Sequence, residues 1–158
     1  MARCYRSASG VVACLAALGS LLAACQTEAG TGDPVLVLEA HRVELGRHLF
    51  YERRLSSEGN RSCGICHEPA LGFTDGFVRA VGTTGELHPR NTLTLTNVGS
   101  RESLTWTPDA PESLEEQLLV PLLSEHPVEM GLSDTIDEVI DGFREDEVYQ
   151  ELFPRAFP

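Results

Sequence analysis

Two cysteines and a histidine stand within five consecutive residues, Cys63-Gly64-Ile65-Cys66-His67. This C-x-x-C-H order is the attachment signature of c-type haem, because two thiols on one turn can form thioether bonds to the two haem vinyl groups. The imidazole of His67 would then reach the iron as an axial ligand from the same side. The pattern therefore predicts one covalently bound haem c, with His67 on its iron.

Two other uses of a C-x-x-C pair fit the chain less well. A thioredoxin-like redox pair requires a βαβ context, and the sequence has no such pattern. A structural zinc site requires four ligands, and the chain has no second closely spaced cysteine pair. Haem attachment is therefore the favoured interpretation.

The first residues have the pattern of an export signal. A positively charged start precedes an apolar stretch at residues 11–24, which is too short to span a membrane comfortably. It ends in Leu22-Ala23-Ala24-Cys25, which resembles a bacterial lipobox, so that Cys25 would carry lipid. We expect residues 1–24 to be a lipoprotein signal peptide and residues 25–34 a linker. The alternative is an ordinary secretory signal cut at the same place, with Cys25 left as a free thiol.

Export fits the predicted cofactor, because c-type haem is attached outside the bacterial cytoplasm. We therefore expect a periplasmic protein that contacts a membrane only through its lipid anchor. The formal net charge is −12, and the chain has no lysine. Such acidity argues against a nucleic-acid partner and favours a basic one, such as a small electron-donor protein. Acidity that only aids solubility is the alternative.

Several segments have helical signals. An apolar stripe predicts a helix over residues 35–51, and Ser62 can cap a short helix that carries the haem motif. Ser113-Leu114-Glu115-Glu116 is a capping box whose helix would end or kink at Pro121. Asp134 can cap a further helix, and residues 145–153 predict a last one. We expect residues 35–158 to form one domain.

Between these helices, glycine and proline punctuate residues 68–111. A loop this long is unusual in a small domain unless a cofactor completes its core, and a haem would do so. The predicted fold class is therefore mainly α, a cytochrome c-like haem domain with long ordered loops.

A series of short motifs surrounds the haem signature in a fixed order. They are Leu45-Gly46-Arg47-His48-Leu49-Phe50, Arg53-Leu55-Ser56, Phe73-Thr74-Asp75-Gly76, Arg90-Asn91-Thr92, Leu95-Thr96-Asn97-Val98, Leu114-Glu115-Glu116-Gln117 and His126-Pro127-Val128-Glu129-Met130-Gly131. In this order the chain closely resembles the N-terminal half of the bacterial di-haem cytochrome c peroxidase family, which includes the MauG-type enzymes. The resemblance covers residues 41–153.

The resemblance implies a haem that reacts with hydrogen peroxide, with Cys63, Cys66 and His67 as its attachment and ligand residues. Glu129 matches the carboxylate on the open side of the iron, where it would move protons between the peroxide oxygens. Gln117 matches a glutamine that would hydrogen-bond the peroxide. Alternatively, Glu129 is a solvated loop residue and Gln117 an ordinary helix residue.

Two further residues take roles from the resemblance. Trp106 matches a tryptophan between two haems, a plausible electron relay, although core packing could also explain it. Asn91 matches a residue that helps to bind calcium at a domain junction, and a hard oxygen ligand suits that ion. Alternatively, Asn91 caps a turn. The other histidines are interpreted as surface or supporting residues.

The chain departs from the family pattern in two places. Residues 81–85 contain no histidine that could block the sixth iron position, so we expect an open site, and His88 is the nearest substitute ligand. The second haem domain is not in this sequence, so we expect a truncated product, a fragment or a single-haem relative. Electrons would then come from an external donor, such as a small cytochrome or cupredoxin, or from a separately encoded haem domain. A non-catalytic electron-transfer protein and an inactive fragment are the alternative functions.

Overall fold

The computed structural model describes residues 33–106 and 111–158, which contain five α-helices and no β-strand. The helices are α1 (Pro34–Tyr51), α2 (Cys63–Cys66), α3 (Leu114–Leu123), α4 (Ile136–Glu145) and α5 (Glu147–Ala156). Single 3-10 turns lie at Arg53–Leu55, Pro69–Leu71 and Val98–Ser100. The predicted mainly α class with long ordered loops is confirmed. The predicted signal peptide and Cys25 lie outside the described residues.

Helix α1 begins at Pro34, one residue before the predicted start. The side chain of Asp33 accepts a hydrogen bond from the Val35 backbone N–H at 2.9 Å. Proline suits the next position, because the first turn of a helix does not need its missing N–H. From Leu38 onward the helix belongs to the compact unit Leu38–Pro158, where it buries Leu45.

Helices α4 and α5 supply most of the apolar core. Phe143 from α4 and Tyr149, Leu152 and Ala156 from α5 pack together with Leu45 of α1. The rings of Phe143 and Tyr149 lie 4.5 Å apart between centroids. We call these five residues the helical core.

A polar cluster closes one side of the helical core. The hydroxyl of Tyr149 donates to the Glu52 carboxylate at 3.0 Å, and Arg54 bridges Glu52 at 2.7 Å and Asp146 at 3.0 Å. The hydrogen bond from Arg54 is the main cause that lowers the pKa of Glu52 to about 2. Burial, followed by the bond to Glu52, raises the pKa of Tyr149 to about 12. The cluster therefore ties the residues that follow α1 to the start of α5.

Helix α3 is capped as predicted, since the Ser113 hydroxyl accepts from the Glu116 backbone N–H at 3.2 Å. It passes Pro121 and ends at Leu123, so it does not end at Pro121, and the alternative of a kink there stays a prediction. Leu122 joins Met130 and Leu132 in a second apolar cluster. Met130 is buried, so it is a packing residue of this cluster.

Two other predicted helix ends were wrong. Helix α4 starts after Thr135 rather than after Asp134. Helix α5 starts after Asp146, whose carboxylate accepts from the Val148 and Tyr149 N–H groups at 2.9 and 3.4 Å. It continues past Pro154 to Ala156, although the proline removes one backbone N–H donor from the helix.

The predicted loop at residues 68–111 is confirmed where the structure describes it. Strand-like pairing in the described residues is limited to three isolated bridges, among them Val81 with Leu87. The bridged segment is a tight loop, because Ala80 N–H donates to Arg90 at 2.9 Å and His88 N–H donates to Ala80 at 2.8 Å. None of the helices described here is both long and apolar enough to cross a membrane.

Candidate active site

The haem motif forms the short helix α2 and the residue that ends it. Ser62 precedes the helix as predicted, but its side chain makes no capping bond. Gly64 is buried, and a Cβ there would come within 2.5 Å of the Tyr51 ring and 3.2 Å of the Phe50 ring. The glycine therefore lets α2 approach the end of α1 closely.

The ring of His67 is oriented by the loop that follows. Its Nδ1 lies 3.1 Å from the Phe73 carbonyl oxygen. Because a carbonyl can only accept, Nδ1 carries the proton and Nε2 keeps its lone pair. Nε2 has no hydrogen-bond partner among the described residues. This is the tautomer that a metal-binding histidine needs, with the second nitrogen held by a backbone carbonyl.

The two cysteines of the motif are free thiols and are half-buried. Burial is the main cause that raises the pKa of both Cys63 and Cys66. For Cys66, the Arg61 guanidinium lowers the pKa, whereas the carboxylates of Asp75 and Glu129 raise it further. Glu129 and Cys66 therefore act on each other electrostatically, although they lie far apart in the sequence.

Backbone hydrogen bonds hold Glu129 in place. Its carbonyl accepts from Thr83 N–H at 2.8 Å. The next residue, Met130, donates to Pro121 at 2.9 Å and accepts from Ser57 N–H at 2.8 Å. The predicted carboxylate thus lies on a loop that is bonded to three other parts of the chain.

The same loop is connected to the haem motif through residues 82 and 83. Arg61, two residues before Cys63, donates from Nε to the Gly82 carbonyl at 2.9 Å. Asn60 donates to the Thr83 carbonyl at 3.1 Å, and the Thr83 hydroxyl donates back to Asn60 at 2.8 Å. We call residues 60–67, 82–88 and 128–131 the loop site. Their bonds bring together the two parts of the predicted site.

The side chain of Glu129 has a partner that the sequence did not reveal. Its Oε1 lies 3.4 Å from Nδ1 of His88, while Nε2 of the same ring lies 3.1 Å from the Val128 carbonyl oxygen. Both ring nitrogens of His88 are engaged within the protein, which argues against its use as a substitute iron ligand. His88 lies between Leu87 and Pro89 and belongs to no recognised motif, so the sequence alone could not predict this contact.

The side chain of Gln117 is partly buried on α3. Its Oε1 atom is buried and has no hydrogen-bond partner in the described residues. Such an atom is costly unless a ligand or a water satisfies it. No hydrogen bond or ion pair among the described residues joins the Gln117 side chain to the haem motif or to Glu129, so its place in the site stays a prediction.

Trp106 and Asn91 meet at a different place. The indole N–H of Trp106 donates to the Asn91 carbonyl at 3.3 Å, and the Arg90 guanidinium lies 5.5 Å from the ring centroid. Trp106 is 47% exposed, so core packing does not explain it. Across the described residues, no group of three or more His, Cys, Asp or Glu side chains is arranged to hold a metal ion. The calcium site at Asn91 stays a prediction.

A surface hollow of about 690 Å³ lies elsewhere, beside the polar cluster. Glu52, Arg54 and Tyr149 line it, and they bond to one another rather than present free groups. None of the predicted site residues lines this hollow. We therefore assign it to the packing of α1 against α5 and not to the chemistry.

Residues 40–158 match the sequence model of the di-haem cytochrome c peroxidase family, and the chain belongs to that family. Membership implies that the chain binds haem c. The predicted resemblance is confirmed, whereas the roles of the individual site residues and the predicted domain bounds stay predictions.

Individual relatives agree with this assignment. The methylamine utilization protein MauG of Methylorubrum extorquens is 38% identical over 120 residues, which cover 76% of this chain and 33% of the relative. The cytochrome c551 peroxidase of Nitrosomonas europaea is 31% identical over 118 residues, which cover 75% and 34%. A crystal structure of a MauG-like protein associated with microbial copper homeostasis has a TM-score of 0.71 and 42% identity, and the match covers 75% of this chain and 34% of that protein. The chain thus spans about a third of the length of these relatives.

Proposed function

We propose that this chain is a peroxidase-like haem domain that reduces hydrogen peroxide with electrons from an external donor. One haem c would be bound covalently through Cys63 and Cys66, with His67 as the iron ligand. Glu129 would move protons on the open side. The observation that carries the proposal is the bonded network of the loop site, which supports the carboxylate and the attachment motif as parts of one site.

When bound, the haem supplies the iron that coordinates peroxide and takes up the donor's electrons. His67 is suited to bind the iron, because the hydrogen bond from Nδ1 to the Phe73 carbonyl fixes the ring and makes Nε2 a stronger ligand. Residues 81–85 contain no histidine, and both ring nitrogens of His88 face protein groups, so neither would compete with peroxide for the iron.

Glu129 would act as acid and base in turn. Reduction of one peroxide molecule consumes two protons and two electrons and yields two water molecules. The carboxylate would take the proton from one peroxide oxygen and return it to the other, which leaves as water when the O–O bond breaks. A carboxyl group placed in this way contributes about 10²- to 10⁴-fold to a rate.

Gln117 would orient the same substrate. Its Oε1 is an acceptor without a partner among the described residues, so it can accept from the O–H of a bound peroxide. A hydrogen bond to the substrate would also remove the cost of leaving that buried atom unpaired.

The donor would be a small basic cytochrome or cupredoxin, since the chain has a net charge of −12. A separately encoded haem domain is a second source of electrons. Trp106 would relay the electrons, and its exposure is compatible with a place near a docking surface. Asn91 would contribute to a calcium site at the junction with such a domain.

We further propose that the protein is exported to the periplasm and anchored by lipid on Cys25. Labelling of growing cells with a radioactive fatty acid tests this directly. We expect label on the wild type and none on Cys25→Ala, and retention of label in that variant would contradict the anchor.

The function is tested with the exported, haem-loaded chain. Mass spectrometry of the denatured protein should show one haem still attached. Peroxide turnover with a reduced donor should then fall about 10²-fold or more in Glu129→Gln. Glu125→Gln is the matched control, because Glu125 is an exposed carboxylate four residues earlier in the same loop.

Equal turnover in the wild type and Glu129→Gln would contradict the assignment of Glu129. A wild type that exchanges electrons with the donor but does not consume peroxide would instead identify a mono-haem electron-transfer protein. A chain that fails to retain haem would identify an inactive fragment.

A further inference from the structure

His88 is buried although it is a polar residue of a loop. Only 5% of its surface is exposed. Its backbone N–H donates to Ala80 at 2.8 Å, and the Arg79 guanidinium donates to the carbonyls of His88 and Leu87. The backbone of His88 is therefore held at both its N–H and its carbonyl.

The two ring nitrogens of His88 face two different groups. Nε2 lies 3.1 Å from the Val128 carbonyl oxygen, and because a carbonyl only accepts, Nε2 is the donor in this bond. Nδ1 lies 3.4 Å from Oε1 of Glu129. The ring therefore connects the main chain at Val128 with the side chain of the next residue, Glu129.

We propose that His88 is a positioning residue for Glu129. Its imidazole holds one carboxylate oxygen and leaves the other free to meet the substrate. The side chain of Glu129 is 42% exposed, so the protein does not enclose it. The proposal rests on the function proposed above, and it assigns His88 a role through Glu129 rather than on the iron.

The loop geometry around this pair supports a fixed arrangement. A Cβ on Gly82 would lie 1.9 Å from the Val128 carbonyl oxygen and 3.2 Å from His88 Nε2. Only glycine lets residue 82 come this close, and the approach confines the carbonyl that His88 binds. The Glu129 carbonyl is held at the same time by Thr83. Main chain and side chain of Glu129 are thus held by the same short loop.

Two substitutions separate the hydrogen bond of Nε2 to Val128 from the 3.4 Å contact of Nδ1 with Glu129. In His88→Gln the terminal amide can replace Nε2 and donate to Val128, but it offers nothing to Glu129. In His88→Asn the shorter amide can replace Nδ1 and donate to Glu129, but it does not reach Val128. His48→Gln is the matched control, because His48 forms a similar pair with Glu44 at 3.3 Å on the surface of α1.

The experiment measures two properties of the exported, haem-loaded chain. The first is the rate at which the ferric haem reacts with peroxide. The second is the C–O stretching band of the ferrous carbon monoxide complex, which reports the hydrogen-bond donors beside the bound gas and does not depend on activity. Both are recorded for each His88 variant with Glu129 present and with Glu129→Gln.

We expect His88→Gln to slow the peroxide reaction about tenfold or more and His88→Asn to slow it less. His88→Gln should also shift the C–O band towards its position in Glu129→Gln. In the Glu129→Gln background, His88→Gln should change neither property, because coupled residues are not additive.

Three results would overturn the proposal. The first is a peroxide reaction rate and a C–O band in His88→Gln that equal those of the wild type. The second is a larger loss of rate in His88→Asn than in His88→Gln. The third is an effect of His88→Gln that is just as large in the Glu129→Gln background. If the wild type itself does not react with peroxide, the proposed function fails, and the C–O band alone still decides whether His88 acts on Glu129.

Discussion

The helical core and the loop site are built in different ways. The helical core buries apolar and aromatic side chains from α1, α4 and α5 against one another. The loop site buries the polar residues Ser62, Thr83 and His88 and is held by hydrogen bonds between loops. The helical core is therefore stabilised mainly by apolar burial. The loop site is ordered mainly by hydrogen bonds, which are directional.

This difference bears on function. Apolar packing tolerates small shifts, whereas proton transfer requires atoms within hydrogen-bond distance of each other. A site on loops meets that requirement only when the loops are tied down, and Glu129 and its neighbours are bonded to three separate segments. We therefore expect substitutions in the two regions to separate stability from chemistry.

The largest effect should follow from removal of the attachment thiols. Cys63→Ser together with Cys66→Ser should abolish covalent haem, because no thiol remains to form a thioether. The helical core should persist, since neither residue belongs to it. Mass spectrometry measures the haem, and circular dichroism measures the helix content. Covalent haem in the double variant would contradict the assignment of the motif.

A truncation in the helical core should act on stability. Leu45 is 3% exposed and packs among the core residues, so Leu45→Ala should lower the free energy of unfolding by about 2–5 kcal/mol. Chemical denaturation measures this change. Val43→Ala is the control, because Val43 is 70% exposed on the same helix and should change stability little. Equal losses in the two variants would argue against the assigned core.

A methyl group at residue 82 should lower the rate of the peroxide reaction. Its Cβ would lie 1.9 Å from the Val128 carbonyl oxygen, so this contact must open and the Glu129 loop must shift. We expect Gly82→Ala to slow the peroxide reaction about tenfold, since proton transfer depends on hydrogen-bond reach. Gly99→Ala is the control, because nothing lies within 4 Å of a Cβ there. An unchanged rate in Gly82→Ala would weaken the case for the loop contact.

The smallest effect should come from the polar cluster beside the helical core. The pKa of Glu52 is lowered from 4.5 to about 2, chiefly by its bond with Arg54. Its contribution to stability is therefore complete above pH 4.5 and is lost as the pH falls towards 2. We expect about 1 kcal/mol after solvent screening. The stability difference between wild type and Glu52→Gln, followed from pH 7 to pH 2, should shrink across that window, and a constant difference would contradict this role.

The helices that form the helical core could be predicted from the sequence. The apolar residues at 35–51 and in α4 follow the helical period, which predicts the two helices. Spacing did not predict which of these residues are buried, since Leu45 and Phe143 are buried whereas Val43 is 70% exposed. The ends of the helices were less predictable. Asp134 and Asp146 are both good capping residues, and only the packed structure decides that Asp146 makes the capping bonds.

The loop site could be predicted only in part. Its haem motif is a local pattern, and Glu129 and Gln117 were found through family resemblance. His88 was named only as a possible iron ligand, and its contact with Glu129 was not predicted, because that contact joins two loops that are distant in the sequence and leaves no periodic signal. The requirement for glycine at residue 82 was not predicted either. It arises from the close approach of the Val128 carbonyl oxygen, which only the folded structure shows.

The central claim is that Glu129 would act on peroxide at a haem iron to which neither residues 81–85 nor His88 supplies a ligand. A low-temperature EPR spectrum of the ferric, haem-loaded chain tests it most directly. We predict a high-spin signal, because residues 81–85 contain no histidine and both ring nitrogens of His88 are engaged within the protein. A purely low-spin signal typical of two histidine ligands would contradict the claim.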